Sequence, residues 1–365
     1  MSSAVLQAPG KTTYYAEGTF LPGDSPQTLE RLLDDAWHIR FTKFMLVYAE
    51  LFALCPEDCE ASGFLPVASD LINTEEAQRR ELINHPVFRI WLGMAMRDLN
   101  GRLSGRIDDP QFLRSRLDEF PAMLERVRAA AKTPAHPAFH RMDVDPLIAS
   151  MLPPSYVVPD DPDERKARSQ IGHPLSFITD VARIALDRIQ TTWPEARRHF
   201  ERLVSDVCYL PDGNFRSCSA SRYTGIILIS NRDGSVLDLE ESLVHEAGHQ
   251  LLYHIVEIHP VSDDDVKDQY RLPWSGQFRD FYGYFHAFYI YVILAQYHER
   301  AMEQRSGRDR DAARTRVRDI LRGLIAALPD FQGNPHLTPE GSALIEAVAK
   351  DVRKLQERQG SLLAA

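Results

Sequence analysis

A chain of 365 residues with 44% hydrophobic and 26% charged residues has enough apolar side chain for one large core or two joined ones, which excludes a disordered polymer. A formal net charge of -10 excludes a surface built mainly for nucleic acid, which needs a basic face. No apolar run approaches the roughly 20 residues of a membrane span, and Met1 to Lys11 lack the charged-then-apolar order of a signal peptide. The expectation is a soluble, cytoplasmic protein with no membrane and no nucleic-acid partner.

Residues 1–26 carry Gly10, Gly18, Pro22 and Gly23 and read as an irregular lead-in. From 27 to 54 the residues Leu29, Leu32, Leu33 and Trp37 recur at helical spacing, with Ser25 or Thr28 as a cap and Pro56 as the stop. Cys55 and Cys59 follow, and Cys208 and Cys218 form a second local pair. Four cysteines are too few for a disulfide framework at this length, and neither pair has the C-x-x-C spacing of a zinc ribbon, so free structural thiols are expected. Further helical patterns run over about 74–98, 110–132 and 176–206, the last broken near Pro194. Between them, Pro134 to Asp163 is rich in proline and acidic residues and reads as an extended connection. This divides the chain into the lead-in 1–26, a helical region 27–163 and a metal-binding catalytic region 164–365, the last two sharing one core.

One segment reads clearly as a strand. Thr224 to Ser230 is β-branched and apolar, and Asn231 to Gly234 is turn chemistry. A helix is predicted to start near Ser235 or Asp238, and Asp238 with Glu241 has the spacing of a capping box. The fold class expected is α+β, predominantly helical, with a small sheet next to this helix.

That helix carries His245-Glu246-Ala247-Gly248-His249, an H-E-x-x-H match. Residues four apart lie on one helix face, so both imidazoles reach one cation. Glu246 is turned by about 100° from His245 and meets a water or a substrate rather than the metal. Leu239, Leu243, Val244, Leu251 and Leu252 give the helix an apolar body, and buried histidines need partners. A chance match of two core or solvated histidines is the plain alternative. The third ligand is open. Leu252 and Ile255 stand where a metzincin would place glycine and histidine, and the segment from Pro260 to Phe285 has no glutamate of the thermolysin kind. His286 is the leading candidate, because it is a lone imidazole in the aromatic run Phe281 to Leu294, although a core histidine bonded to a tyrosine or a carbonyl would look the same. Asp268, Asp280, Glu299 and His298 are the alternatives.

These pieces resemble a known family. Ser217-Cys218-Ser219 before the strand, the motif His245 to His249, and Pro273-Trp274-Ser275-Gly276-Gln277-Phe278-Arg279 leading to Gly283 and His286 look like the α-ketoglutarate-dependent HExxH-type peptide β-hydroxylases. The resemblance spans roughly 215 to 300; Ser275 and Asp280 depart from its usual pattern. It implies a zincin-like core, and iron(II), α-ketoglutarate and O2 used to hydroxylate a β-carbon of a peptide or amino-acid-like substrate in natural-product biosynthesis. His245, His249 and His286 would hold the metal, with Glu246 as the catalytic residue beside it, positioning substrate or water. The oxoacid needs a fixed cation, and a forked guanidinium suits a carboxylate. Arg279 is the choice on its nearness to His286, ahead of Arg271, Arg222 and Arg232. The rival reading is a zinc metallopeptidase using Zn(II), with Glu246 as general base.

Overall fold

The computed structural model describes residues 18–107, 109, 111–131, 137–142, 161–168, 170–211, 213, 215–263 and 268–360. Two compact units form. The first comprises 31–184 and 200–242; the second comprises 1–30, 185–199 and 243–365. The units interleave along the chain; the sequence divides it at 26 and 163, with the last two regions sharing one core. Most of the proline-rich stretch before the second division, 143–160, lies outside the described residues, as does most of the lead-in.

Helix α1 (Pro26–Leu54) opens the described chain and continues into the first unit, where it is followed by α2 (Pro56–Ala61), α3 (Phe64–Asn73), α4 (Glu76–Asn84), α5 (Pro86–Leu103) and α6 (Gln111–Ala131). Proline starts α1, α2 and α5, where its missing N–H would be unsatisfied anyway. Pro86 also explains why the single run expected over 74–98 is two helices: His85 turns extended and accepts from Val87 N through Nδ1 at 3.2 Å. The helices close on an aromatic core in which Phe120 meets Phe64 edge-on at 4.9 Å and Trp91 at 4.6 Å.

After β1 (Ala138–Arg141) come α7 (Pro162–Arg168), α8 (Leu175–Thr192), α9 (Pro194–Leu203), β2 (Asp206–Tyr209), β3 (Ser217–Cys218) and β4 (Ile226–Ile229). The strands make one mixed sheet in the order β1-β2-β4-β3, parallel except for the β3–β4 pair. Every residue of β2 and β4 is buried, as in parallel strands covered on both faces. Cys208 and Cys218 both register with Leu228, from opposite sides of β4. Two strand spacings, about 10 Å, separate such positions, too far for a disulfide. All four cysteines are free. Burial pushes the Cys59 thiol up to about 12 and raises Cys55 as well, so neither is a ready nucleophile.

Helix α10 (Val236–Ile258) begins in the first unit and continues into the second. Its cap is Ser235, whose Oγ accepts from Asp238 N at 3.1 Å and donates to Asp238 Oδ2 at 2.8 Å. This corrects the expected box by one turn. Glu241 serves Arg216 instead: the guanidinium reaches Glu241 at 3.2 Å, Asp233 at 3.0 Å and the Asp238 carbonyl at 2.9 Å, which pins the start of the helix.

In the second unit the hairpin β5 (Tyr270–Arg271) and β6 (Phe278–Arg279) leads into α11 (Phe281–Gln304), α12 (Gly307–Phe331) and α13 (Pro339–Arg358). Asp280 caps α11 by accepting from Gly283 N at 2.8 Å. Two residues join α11 to α12, so the helices pack along each other as antiparallel neighbours. The N-terminal segment is tied in by Tyr289, whose hydroxyl donates to Thr19 O at 2.8 Å. The segment after α10 is tied to the start of α13. Thr338 N donates to Val261 O at 3.2 Å, Thr338 Oγ1 to Pro260 O at 2.7 Å, and Asp263 N to His336 O at 3.0 Å. The chain is thus predominantly helical α+β with a small mixed sheet, as expected. No helix among the described residues is long and apolar enough to cross a membrane.

Candidate metal centre

Helical spacing lines up His245, His249 and Tyr253 at four-residue intervals on one face of α10. Gly248 lets α11 come close. A Cβ there would lie 3.0 Å from both Ile290 Cδ1 and Ile293 Cδ1, tighter than ordinary contact. His286 lies one turn before Ile290, so this close approach brings its ring beside His249. The two ring centres are 5.7 Å apart, with planes 25° from parallel.

The motif histidines face each other. His245 Nε2 and His249 Nε2 are 3.1 Å apart, with the rings at 69°. Metal–nitrogen bonds of about 2.0–2.1 Å at a tetrahedral angle put two ligand nitrogens about 3.3 Å apart. The pair therefore fits one ion, although a single N–H···N bond accounts for the same distance. On the rings of this cluster, His249 Nδ1 and His286 Nε2 are buried without a hydrogen-bond partner among the described residues, as are His199 Nδ1 and His298 Nδ1 elsewhere. An orphaned His286 Nε2 next to the pair is what an absent ligand would leave. The orphaned His249 Nδ1 departs from the usual arrangement, in which the second nitrogen of a metal-bound histidine donates to a carboxylate or carbonyl. As placed, no three His, Cys, Asp or Glu side chains among the described residues form a group arranged to hold a metal ion. The structure brings His245 and His249 together and His286 close to them, short of a closed three-ligand set.

The carboxylate candidates are engaged elsewhere, while His298 Nδ1 is buried without a hydrogen bond among the described residues. Asp268 pairs with His336 at 3.0 Å, Asp280 caps α11, and Glu299 is held by Arg358 at 2.7 Å and Gln359 at 2.8 Å. His298 is fully buried. His254, off the metal face, bonds the Gln250 carbonyl at 2.8 Å. Glu246 is 2% exposed, as a residue working inside a site should be.

Arg279 sits at the end of β6, exposed, and donates to Gln277 Oε1 at 3.1 Å. Its Cβ and Cδ lie over Gly283, where a methyl group would stand 3.3 Å from the first and 3.5 Å from the second. Arg271 folds over the hairpin turn toward Gly276 O at 3.4 Å. Arg222 lies over the Tyr223 ring in the first unit, and Arg232 is exposed there.

Sequence reasoning missed the aromatic surroundings. Tyr253 stacks against His249 at 6.0 Å and lies 5.6 Å from His286, while Tyr282 covers His286 at 4.1 Å. Tyr291 meets His245 edge-on at 6.3 Å and is backed by Trp274, parallel at 4.2 Å. Trp274 Nε1 donates to Ile320 O at 3.0 Å, over Gly323, where a Cβ would stand 2.2 Å from that nitrogen. The spacing of Tyr253 and Tyr282, each four residues from a histidine, was the available signal.

Burial holds the His286 imidazole down at about 3, and burial followed by Arg198 holds His199 at about 4. For His249, burial and then His245 and His286 hold the ring well below the ordinary histidine value. The unfolded chain takes up these protons near pH 6.5 and the folded chain does not, so below that pH the unfolded state binds more protons and stability falls. By pH 5, His286 and His199 should each cost the metal-free protein about 2 kcal/mol relative to pH 8. Urea melts at the two pH values test this. A His286→Phe variant with an unchanged pH dependence would show that His286 is not held neutral.

Compared with known proteins, the sequence matches no family model and no curated protein.

Proposed function

We propose that this chain is a metalloenzyme that uses iron(II), α-ketoglutarate and O2 to hydroxylate a peptide or amino-acid-like substrate, at a β-carbon, in natural-product biosynthesis. The observation that carries the metal is the 3.1 Å approach of His245 Nε2 and His249 Nε2 beside the buried, unpartnered Nε2 of His286. An all-nitrogen face of this kind leaves open positions for an oxoacid and a gas. The oxygenase reading itself rests on the resemblance of residues 215–300 and on the carboxylate rivals being engaged elsewhere. It includes a zincin-like core around α10.

In this reading His245, His249 and His286 hold the ion, which when bound with α-ketoglutarate supplies the oxidising chemistry. Glu246, buried one residue along from His245, orients the substrate or a water by accepting a hydrogen bond. Arg279 carries a guanidinium with no ion pair among the described residues and one neutral partner, Gln277, so it is free to exchange that partner for a carboxylate. The second reading is a zinc peptidase in which Glu246 takes a proton from the attacking water.

The deciding experiment combines metal analysis with succinate formation from α-ketoglutarate and iron(II), with and without candidate peptides. Arg279→Ala should weaken α-ketoglutarate binding by about 1.5–3 kcal/mol, the range for hydrogen bonds to charged groups, or roughly ten- to a hundredfold. Anaerobic titration of the iron(II) protein, followed by its charge-transfer absorption, reads this directly. No absorption band, together with peptide cleavage by the zinc protein that disappears in Glu246→Gln, would replace the oxygenase with the peptidase.

A further inference from the structure

His286 differs from an ordinary metal-bound histidine in how its ring is held. Such rings are usually oriented by a hydrogen bond from the nitrogen that does not bind the metal. Here the ring is held by packing. Tyr282 lies 4.1 Å away with planes at 48°, and Tyr253 lies 5.6 Å away at 39°. Both tyrosines sit four residues from a motif histidine on the same helix face, Tyr253 after His249 on α10 and Tyr282 before His286 on α11. Tyr253 touches both histidines, being within 6.0 Å of His249 as well. Each ligand-bearing helix thus contributes one aromatic ring to the seat of His286.

We propose that Tyr253 and Tyr282 are positioning residues whose rings seat the His286 imidazole beside the His245–His249 pair, doing by ring packing what a hydrogen bond does elsewhere. This rests on the metal reading above and goes beyond it by assigning two residues outside the motif. The slot aligns His286 while leaving its Nε2 without a hydrogen-bond partner among the described residues. It follows that the ring, and not the hydroxyl, of each tyrosine matters. Phenylalanine should therefore substitute fully, and a small residue should not.

Cobalt(II) is the probe, because its ligand-field spectrum reports the ligand set without any turnover. With the full chain, one equivalent should bind, and His286→Ala should give a distinct spectrum. Tyr253→Phe and Tyr282→Phe should match the wild type. Tyr253→Ala and Tyr282→Ala should bind roughly ten- to a hundredfold more weakly, the loss typical of removing an outer partner of a metal ligand, with spectra moved toward that of His286→Ala. A second measurement needs no metal. In metal-free protein carrying 13C-labelled histidine, the His286 ring signal, identified by its absence in His286→Ala, should be displaced by the tyrosine ring currents and should move in Tyr282→Leu. Phenylalanine variants that behave like the alanine variants would overturn the proposal, as would alanine variants with the wild-type spectrum. If wild type and His286→Ala share one spectrum while His245→Ala abolishes binding, the seat is wrong and the metal pair stands. If the wild type binds no cobalt, the metal reading falls, and a His286 signal unmoved in Tyr282→Leu would overturn the seat as well.

Discussion

His245→Ala and His249→Ala should each abolish stoichiometric binding of a divalent ion. Zinc sites with four protein ligands are worth about 10–16 kcal/mol, so one ligand carries roughly 2.5–4 kcal/mol, or about a hundred- to a thousandfold in affinity. The loss should be near the upper end, because each histidine is half of a pair already fixed at 3.1 Å by one helix face. Removing either leaves a lone ring whose attachment to an ion must order the site anew. Elemental analysis after dialysis gives the stoichiometry, and calorimetric titration gives the affinity. Far-ultraviolet circular dichroism checks that α10 remains folded. A variant that keeps one equivalent with unchanged affinity would show that the H-E-x-x-H match binds nothing and that the 3.1 Å contact is an N–H···N hydrogen bond.

Gly341→Ala should be among the most destabilising single-methyl additions in the second unit. A Cβ at this position would stand 1.9 Å from the Val261 carbonyl oxygen, and the obstacle is backbone, which cannot swing aside. The same carbonyl accepts from Thr338 N, and Gly341 N donates to Thr338 Oγ1 at 3.0 Å, so the contact lies inside the cap of α13. Relief would require pulling the segment after α10 off that cap. Overpacking usually costs about 1–3 kcal/mol, and adding the loss of a cap worth about 1 brings the expected total to roughly 2–4 kcal/mol. Chemical denaturation measures it. A change below about 1 kcal/mol, within the scatter of ordinary surface substitutions and mild strain, would mean that the approach of Val261 to Gly341 is looser than described. Because Val261 lies three residues past the end of α10, metal affinity should weaken in parallel, although no ligand is touched.

Local signals made much of the fold legible. Pro56 and Pro194, read as breaks, do stand where one helix gives way to the next, whereas the pattern expected over 74–98 runs straight through the break at Pro86; the apolar run before Asn231 is strand β4. The histidine pair was readable for the same reason, since a four-residue interval on a helix decides which side chains meet. The remainder depends on long-range pairing. The helical pattern expected over 176–206 ends where Asp206–Tyr209 begins, and that segment becomes β2 because β1 and β4 flank it. Ala138–Arg141 has no alternation long enough to announce a strand. At the start of α10, Ser235 with Asp238 and Asp238 with Glu241 fit the capping spacing equally well, and Arg216, distant in sequence, settles the choice by taking Glu241. Glu299 looked available as a ligand because its partner, Arg358, lies 59 residues on.

The interleaving of the two units also governs the order in which the protein can acquire structure while it is being made. Residues 31–242 contain every segment of the first unit, so that unit can close once residue 242 has left the ribosome. The unit bearing His245, His249 and His286 cannot. Thr19 waits for Tyr289, 270 residues later, and Glu299 waits for Arg358. The Thr19 segment of the site-bearing unit must therefore stay unengaged over that span of synthesis, which makes that unit the slower to assemble and the more exposed to misassociation. Chains halted just short of α13 should hold a folded first unit and no competent centre.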